Sequence, residues 1–313
     1  MRYDFAPMEG LTDSIYRRIH HRFFPGVDRY IMPFLSPTVH RSLTHKEDRE
    51  LPFADKEDFV AVPQILTKSA EDFLWAAQVC KDRGYEEVNL NLGCPSGTVV
   101  SKGKGSGMLS DLAGLDAFLE EIFSRCVLPI SVKTRLGLTQ PEEFPAILEI
   151  FNRYPMVELT VHPRVRKQFY DGDVNLEMFR YAHENSRNPL CYNGDLKSKA
   201  DIEKIARQFP QINAVMLGRG LVADPSMLSQ EPADAVKLEA FMNELLENYM
   251  EAFGGSRNAM FRLKENWHFL ITRFSGAEKL WKRLRKTTDL GEYKAVCGEI
   301  FHTLPLISPE NVE

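Results

Sequence analysis

The chain has no framework of paired cysteines. Its five (Cys80, Cys94, Cys126, Cys191, Cys297) are scattered over 313 residues without a C-x-x-C pair. Neither a disulfide scaffold nor a structural zinc site is expected, and a reducing compartment fits. No apolar run approaches the roughly 20 residues of a membrane span. The opening Met1-Arg2-Tyr3-Asp4-Phe5 runs into a strand-like segment without the apolar stretch of a secretion signal. A cytoplasmic protein without membrane, metal or obligate protein partner is the expectation. Net positive charge is lacking too: the formal charge is -5, which excludes a uniformly cationic nucleic-acid binder but not a local patch. No G-x-G-x-x-G turn opens the chain, so a doubly wound dinucleotide-binding sheet is disfavoured. What is present is an ordinary globular mixture, 43% hydrophobic and 27% charged, too apolar for disorder and sufficient for a large core.

Short β-rich runs recur at Tyr3 to Ala6, Tyr30 to Met32, Val60 to Leu66, Val88 to Leu92, Ile130 to Thr134, Val157 to His162, Leu190 to Asn193 and Ala214 to Leu217. Segments of helical period, such as Ala70 to Arg83 and Leu115 to Arg125, separate them. Eight β-then-α units predict an α/β fold, a (β/α)8 TIM barrel over residues 1–235. Beyond it the pattern is helical only: Ala235 to Phe253, Ala259 to Phe274, Glu278 to Thr287 and Leu290 to Leu304. Residues 236–313 are therefore expected to form a C-terminal all-helical domain.

Polar and glycine residues cluster where the strands end, the face on which barrels carry their active sites. Asn193-Gly194-Asp195 and Gly218-Arg219-Gly220 follow the last two strands, a common phosphate position; such glycines also serve as plain tight turns, but on adjacent strands they favour phosphate together. Lys133 and Arg135, two apart in one strand, share a face; if it is the lumen, two cations enter together, which is costly unless an anion or electron-rich ligand receives them, the alternative being that both snorkel from the strand end. Gln64, polar within an apolar strand, needs a hydrogen-bonding partner, which a ring with carbonyl and N–H edges would supply. Cys94 stands at a strand end beside a glycine-rich loop running to Gly107, whereas Cys80, Cys126 and Cys297 sit in helical patterns and read as core. His162 is followed within nine residues by Arg164, Arg166, Lys167 and Tyr170: either a solvated loop or an arm that holds a phosphate and stacks a base.

Residues 255–286 hold nine lysines and arginines (257, 262, 264, 273, 279, 282, 283, 285, 286) against Glu265 and Glu278, a local charge of +7. Trp267, His268, Phe269, Phe274 and Trp281 are interleaved with them. That composition suits nucleic-acid phosphates and stacked bases, although some of these aromatics must build the small domain's core.

Together these stretches resemble the tRNA-dihydrouridine synthase family. The matching motifs are Ala6-Pro7-Met8-Glu9-Gly10, Asn91-Leu92-Gly93-Cys94-Pro95 with Lys102-Gly103-Lys104-Gly105-Ser106-Gly107, Val132-Lys133-Thr134-Arg135, His162-Pro163-Arg164 through Gly172, Asn193-Gly194-Asp195 and Gly218-Arg219-Gly220. Leu92 and Val165 stand where the family more often carries Met and Thr. The resemblance implies an FMN barrel with a helical tRNA-binding domain, reducing the C5=C6 bond of a tRNA uridine (in the D-loop) with NADPH as electron donor. It assigns FMN binding to Pro7, Met8, Glu9, Gln64, Lys133, Asn193, Gly194, Asp195, Gly218 and Arg219, with His162 nearby. Cys94 becomes the proton donor. Asn91 and Arg135 lie near the target base, and Arg164, Arg166 and Tyr170 face substrate. A cysteine's ordinary pKa of about 8.5 keeps the thiol protonated at cellular pH, as an acid must be.

Three rivals are weighed. An FMN barrel acting on a small molecule, of the dihydroorotate dehydrogenase kind, leaves the +7 segment unexplained. A lyase using Lys133 as a Schiff base needs no flavin. A non-catalytic RNA-binding protein gives Cys94 no task.

Overall fold

A computed structural model describes residues 1–38 and 40–307. Its strands are β1 (Arg2–Phe5), β2 (Arg29–Ile31), β3 (Val60–Val62), β4 (Gln64–Ile65), β5 (Val88–Leu92), β6 (Ile130–Arg135), β7 (Leu159–His162), β8 (Leu190–Tyr192) and β9 (Ala214–Leu217), all parallel. The spacing predicts eight strands and nine form, because Pro63 has no N–H for the ladder and splits the third. This break also closes the barrel. The sheet order runs β3-β2-β1-β9-β8-β7-β6-β5-β4, and its two outer strands abut through Pro63, whose carbonyl accepts from Asn89 N at 2.8 Å. Leu35 spans the same break, its N–H donating to Gln64 O and its carbonyl accepting from Leu66 N.

The chain divides into two compact units. The first comprises Met1–Pro7, Asp28–Asp195 and Ile205–Leu217 and contains every strand; the second comprises Met8–Val27, Leu196–Lys204 and Gly218–Glu313, of which 308–313 lie outside the described residues.

Within the first unit, Ala6, Ile31, Val62, Cys191, Ala214 and Met216 fill the lumen as one apolar cluster. Below it, at the strands' N-terminal end, sits a charged plug. Arg29 reaches Asp4 (2.9 Å), Glu158 (2.9 Å) and Glu87 (3.0 Å), and Arg2 reaches Asp4 (2.9 Å) and Glu158. Asp4 and Glu158 are fully buried, and burial, reinforced by Asp4, pushes the Glu158 carboxyl above the usual range. Ligand atoms of Asp4, Glu158 and Cys191 lie within 4.8 Å of one another, yet both carboxylates already face guanidinium groups.

In the second unit, helix Ala235–Phe253 ends on Gly254, whose φ of 67° is the left-handed conformation glycine adopts freely. Helices Ser256–Leu270, Glu278–Leu284 and Leu290–Thr303 follow. Trp267 is their buried centre: Nε1 donates to Tyr293 OH at 3.1 Å, with Phe274 and Phe301 alongside. Phe241 draws the early helix Ser14–Phe23 into this unit, packing edge-on against Tyr16, Phe23 and Phe24. Those N-terminal residues therefore join the helical part, which a boundary drawn at residue 235 does not convey. Among the described residues no helix is long and apolar enough to cross a membrane.

Removing one partner of a buried ion network leaves uncompensated charge. Arg29→Met is expected to lower unfolding free energy by about 3–5 kcal/mol in denaturant titration; a loss below about 1 kcal/mol would show that Asp4 and Glu158 are adequately held without it.

Candidate active site

Strand β5 carries amides on one face. Asn89 and Asn91, two apart, point the same way. Gln64 on the neighbouring β4 donates to Asn89 Oδ1 (2.8 Å) and accepts from Asn91 Nδ2 (2.7 Å), while Asn89 donates to Ser131 Oγ (2.9 Å). The protein itself thus satisfies the buried Gln64 that was expected to await a ligand. The free oxygen of Asn91 then accepts from Gly93 N (3.1 Å) and Cys94 N (2.9 Å), turning the chain so that Cys94 leaves the strand half-buried. From the other side Ser106 donates through both N (3.2 Å) and Oγ (2.8 Å) to Cys94 O. Gly105, at φ 58°, permits this approach: a Cβ there would sit 3.0 Å from Cys94 O and 3.1 Å from Cys94 Cβ. Sequence reading missed Asn89 and Ser106; the Asn-x-Asn alternation and the serine between two glycines were the available signals.

On β6, Ser131, Lys133 and Arg135 follow the same alternation beside Asn89 and Asn91. Lys133 is half-buried and makes no hydrogen bond or ion pair with any described residue; burial first, then Arg135, lowers its ammonium to about 8. Arg135 is 2% exposed. Its Nε donates to Gly93 O (3.0 Å), its Nη1 to Val165 O (3.2 Å), and its guanidinium lies 5.3 Å from the Tyr170 ring centroid. Burial draws it down to about 10, against the opposing pull of Tyr170.

Strand β7 ends at buried His162, stacked 6.0 Å from exposed Tyr170. Arg164 Nη1 lies 3.1 Å from His162 Nε2. A guanidinium only donates, so Nε2 is the acceptor and the ring proton sits on Nδ1. Arg164, expected to face substrate, is 1% exposed; its charge goes to Asp195 through two contacts, one at 3.0 Å, and to the Gly172 carbonyl. It positions its neighbours instead. Arg166 donates from Nε to Pro95 O (3.2 Å), joining the arm to the cysteine segment. Asn193 donates to Met216 O (2.8 Å), and a Cβ on Gly194 would meet Val174 at 2.8 Å.

Of the remaining candidates, Pro7 ends the first unit's opening segment, half-buried. In the second unit Met8 is half-buried, Glu9 exposed, and Gly218 caps the short helix Arg219–Ala223. Gly220 serves packing: a Cβ would lie 2.1 Å from Leu196 O. Three of the nine cations in 255–286 turn inward. Lys264 donates to the carbonyls of Thr287 and Arg285, Arg273 pairs with Asp224 (2.5 Å), and Arg262 donates to Gly10 O. Trp267 and Phe274 are core. Arg257, Lys279, Lys282, Arg283, Arg285 and Lys286 remain exposed, with Arg285 over Trp281.

A family model described as Dihydrouridine synthase (Dus) matches residues 4–295. The chain belongs to this family. A probable tRNA-dihydrouridine synthase of Staphylococcus aureus (strain COL) is 27% identical over 315 residues, covering 94% of this chain and 91% of the relative. A tRNA-dihydrouridine synthase B of Pasteurella multocida is 27% identical over 249 residues, 78% and 74% of the two chains. Among solved structures, a morphinone reductase mutant in complex with tetrahydroNAD aligns with a TM-score of 0.50 at 11% identity, over 72% of this chain and 85% of its own, a likeness of fold. This dihydrouridine synthase family member therefore keeps the barrel while carrying the family's motifs at its strand ends.

A lysine without an anion should reveal itself in stability. Between pH 8 and 10.5 the unfolded chain holds a proton on Lys133 that the folded chain lacks, so stability rises with pH across that window and the full cost stands below it. In ligand-free protein, Lys133→Met should be more stable than wild type at pH 7, with the gap closing towards pH 10.5 in parallel denaturation curves; a gap independent of pH would contradict the burial of an unpartnered ammonium.

Proposed function

We propose that this chain is a cytoplasmic tRNA-dihydrouridine synthase that binds FMN, takes electrons from NADPH and reduces the C5=C6 bond of a D-loop uridine. The observation carrying this reading is the arrangement around Cys94: a half-buried thiol whose backbone is fixed by Asn91 and Ser106, beside Arg135 and the unpartnered Lys133. The fit to a flavin rests on the same feature. An ammonium with no acceptor among the described residues, next to the amides of Gln64 and Asn91, suits an electron-rich ring with carbonyl and N–H edges. In the first unit Gln64, Lys133, His162, Asn193, Gly194 and Asp195 would hold it.

FMN supplies hydride chemistry when bound. Reduction of a uracil places a hydride at C6 and a proton at C5, with charge developing on the C4 oxygen between them. Cys94 holds the proton for C5, while Lys133 and Arg135 oppose that charge with cations already desolvated, so little reorganisation is required. Asn91 positions the thiol. Arg166 and Tyr170 face the RNA, and Arg164 keeps His162 and Asp195 in place. A uracil must leave its stack to reach a barrel mouth, at roughly a few kcal/mol; the exposed cations and Trp281 of the second unit offer phosphate and base contacts that offset it.

The lowered Lys133 ammonium also favours the Schiff-base lyase as a second reading. Purified protein should show oxidised flavin bands that bleach with NADPH and return on adding unmodified tRNA. A colourless protein that takes up no FMN, and that borohydride links to an aldehyde at Lys133, would overturn the synthase in favour of the lyase.

A further inference from the structure

Phe169 has an unusual conformation and unusual surroundings. It is 43% exposed and its backbone has φ 51° and ψ -98°, a region where a bulky side chain is strained and glycine is at ease. The turn that imposes this is held from several directions: Gln168 N donates to Val165 O (3.2 Å), Phe169 N to Arg166 O (3.1 Å), Asp171 N to Gln168 O (2.8 Å) and Val165 N to Gln168 Oε1 (2.9 Å). Phe169 is not one of the buried core residues, so core burial does not offset the cost. The Arg166 guanidinium lies 5.3 Å from the ring centroid, while Arg166 Nε holds Pro95 O, next to Cys94. On its other side, Tyr170 stacks on His162 and lies over Arg135, which holds Gly93 O. Arg166, which lies over the ring, and Tyr170, the residue that follows it, are thus both tied to the segment that carries the thiol, Tyr170 through Arg135. Lys167 and Lys102 are exposed in the arm and the cysteine loop, and Lys104 is half-buried there.

From this we propose that Phe169 is a specificity-determining residue whose exposed ring, backed by Arg166, stacks on the nucleobase adjacent to the target uridine. This rests on the RNA-reducing reading given above. An exposed aromatic face with a cation behind it, in a neighbourhood of lysines, suits a base with its phosphates; base-on-aromatic stacking tolerates any base, so the ring selects for an unstacked neighbour rather than for sequence.

The test uses the flavin-loaded enzyme and tRNA in four forms of residue 169: wild type, Phe169→Gly, Phe169→Leu and Phe169→Trp. Phe169→Gly is expected to leave the melting temperature unchanged or higher, to leave flavin reduction by NADPH unchanged, and to raise KM for tRNA about 10-fold. Phe169→Leu should do the same to KM, and Phe169→Trp should retain wild-type KM. Transcripts with an abasic site on the 5′ or the 3′ side of the target uridine complete a cycle: one of them should impair wild type about as much as Phe169→Gly does, and impair the glycine variant no further. A lowered melting temperature with unchanged KM, or abasic and glycine effects that simply multiply, would overturn the proposal. If wild type itself forms no dihydrouridine in any tRNA, the functional reading fails, and the proposal falls with it.

Discussion

The geometry of the candidate site depends on one side chain, the carboxamide of Asn91. Its nitrogen is committed to Gln64 and its oxygen to two successive backbone N–H groups, those of Gly93 and Cys94. The amide therefore couples the strand interior to the turn that follows it. Remove it and the Gln64 oxygen loses its donor within the lumen, while the N–H groups of Gly93 and Cys94 lose their acceptor. Gly105 and Ser106 act on the same peptide from the opposite side, one by having no Cβ and the other by filling the carbonyl.

The two ends of the lumen handle buried charge in opposite ways. At the N-terminal end, Arg2 and Arg29 face Asp4, Glu87 and Glu158, so each charge has partners and the plug is structural. At the C-terminal end, Lys133 and Arg135 enter together with no carboxylate of the described residues paired to either, and both are depressed by burial. A barrel that neutralises one end and leaves the other short of anions is arranged to receive them there. Arg164 belongs to the structural kind although its position in the motif suggested otherwise, since Asp195 already meets its charge.

Much of this was legible in the amino-acid order. Strand positions follow from β-rich runs of regular spacing, and the pairing of Lys133 with Arg135 or of Asn91 with Cys94 follows from strand alternation and a strand end. What could not be read was who meets whom. Gln64 looked unsatisfied because its partners stand 25 and 27 residues later on the neighbouring strand. Lys264 and Arg273 looked like surface cations because the carbonyls and the Asp224 carboxylate that turn them inward come from other segments. The strain at Phe169 is likewise invisible in sequence, since hydrogen bonds in the surrounding turn impose a φ that its residue type disfavours.

On the proposed reading, Cys94 delivers the proton while the rest of the site carries binding. Stopped-flow reoxidation of NADPH-reduced enzyme by unmodified tRNA tests this directly, comparing wild type with Cys94→Ala at matched flavin content. The account predicts that the variant binds tRNA and accepts electrons from NADPH normally but is reoxidised by tRNA at least about 100-fold more slowly, the scale of a lost general acid. Reoxidation at the wild-type rate would contradict it and assign the proton to another group.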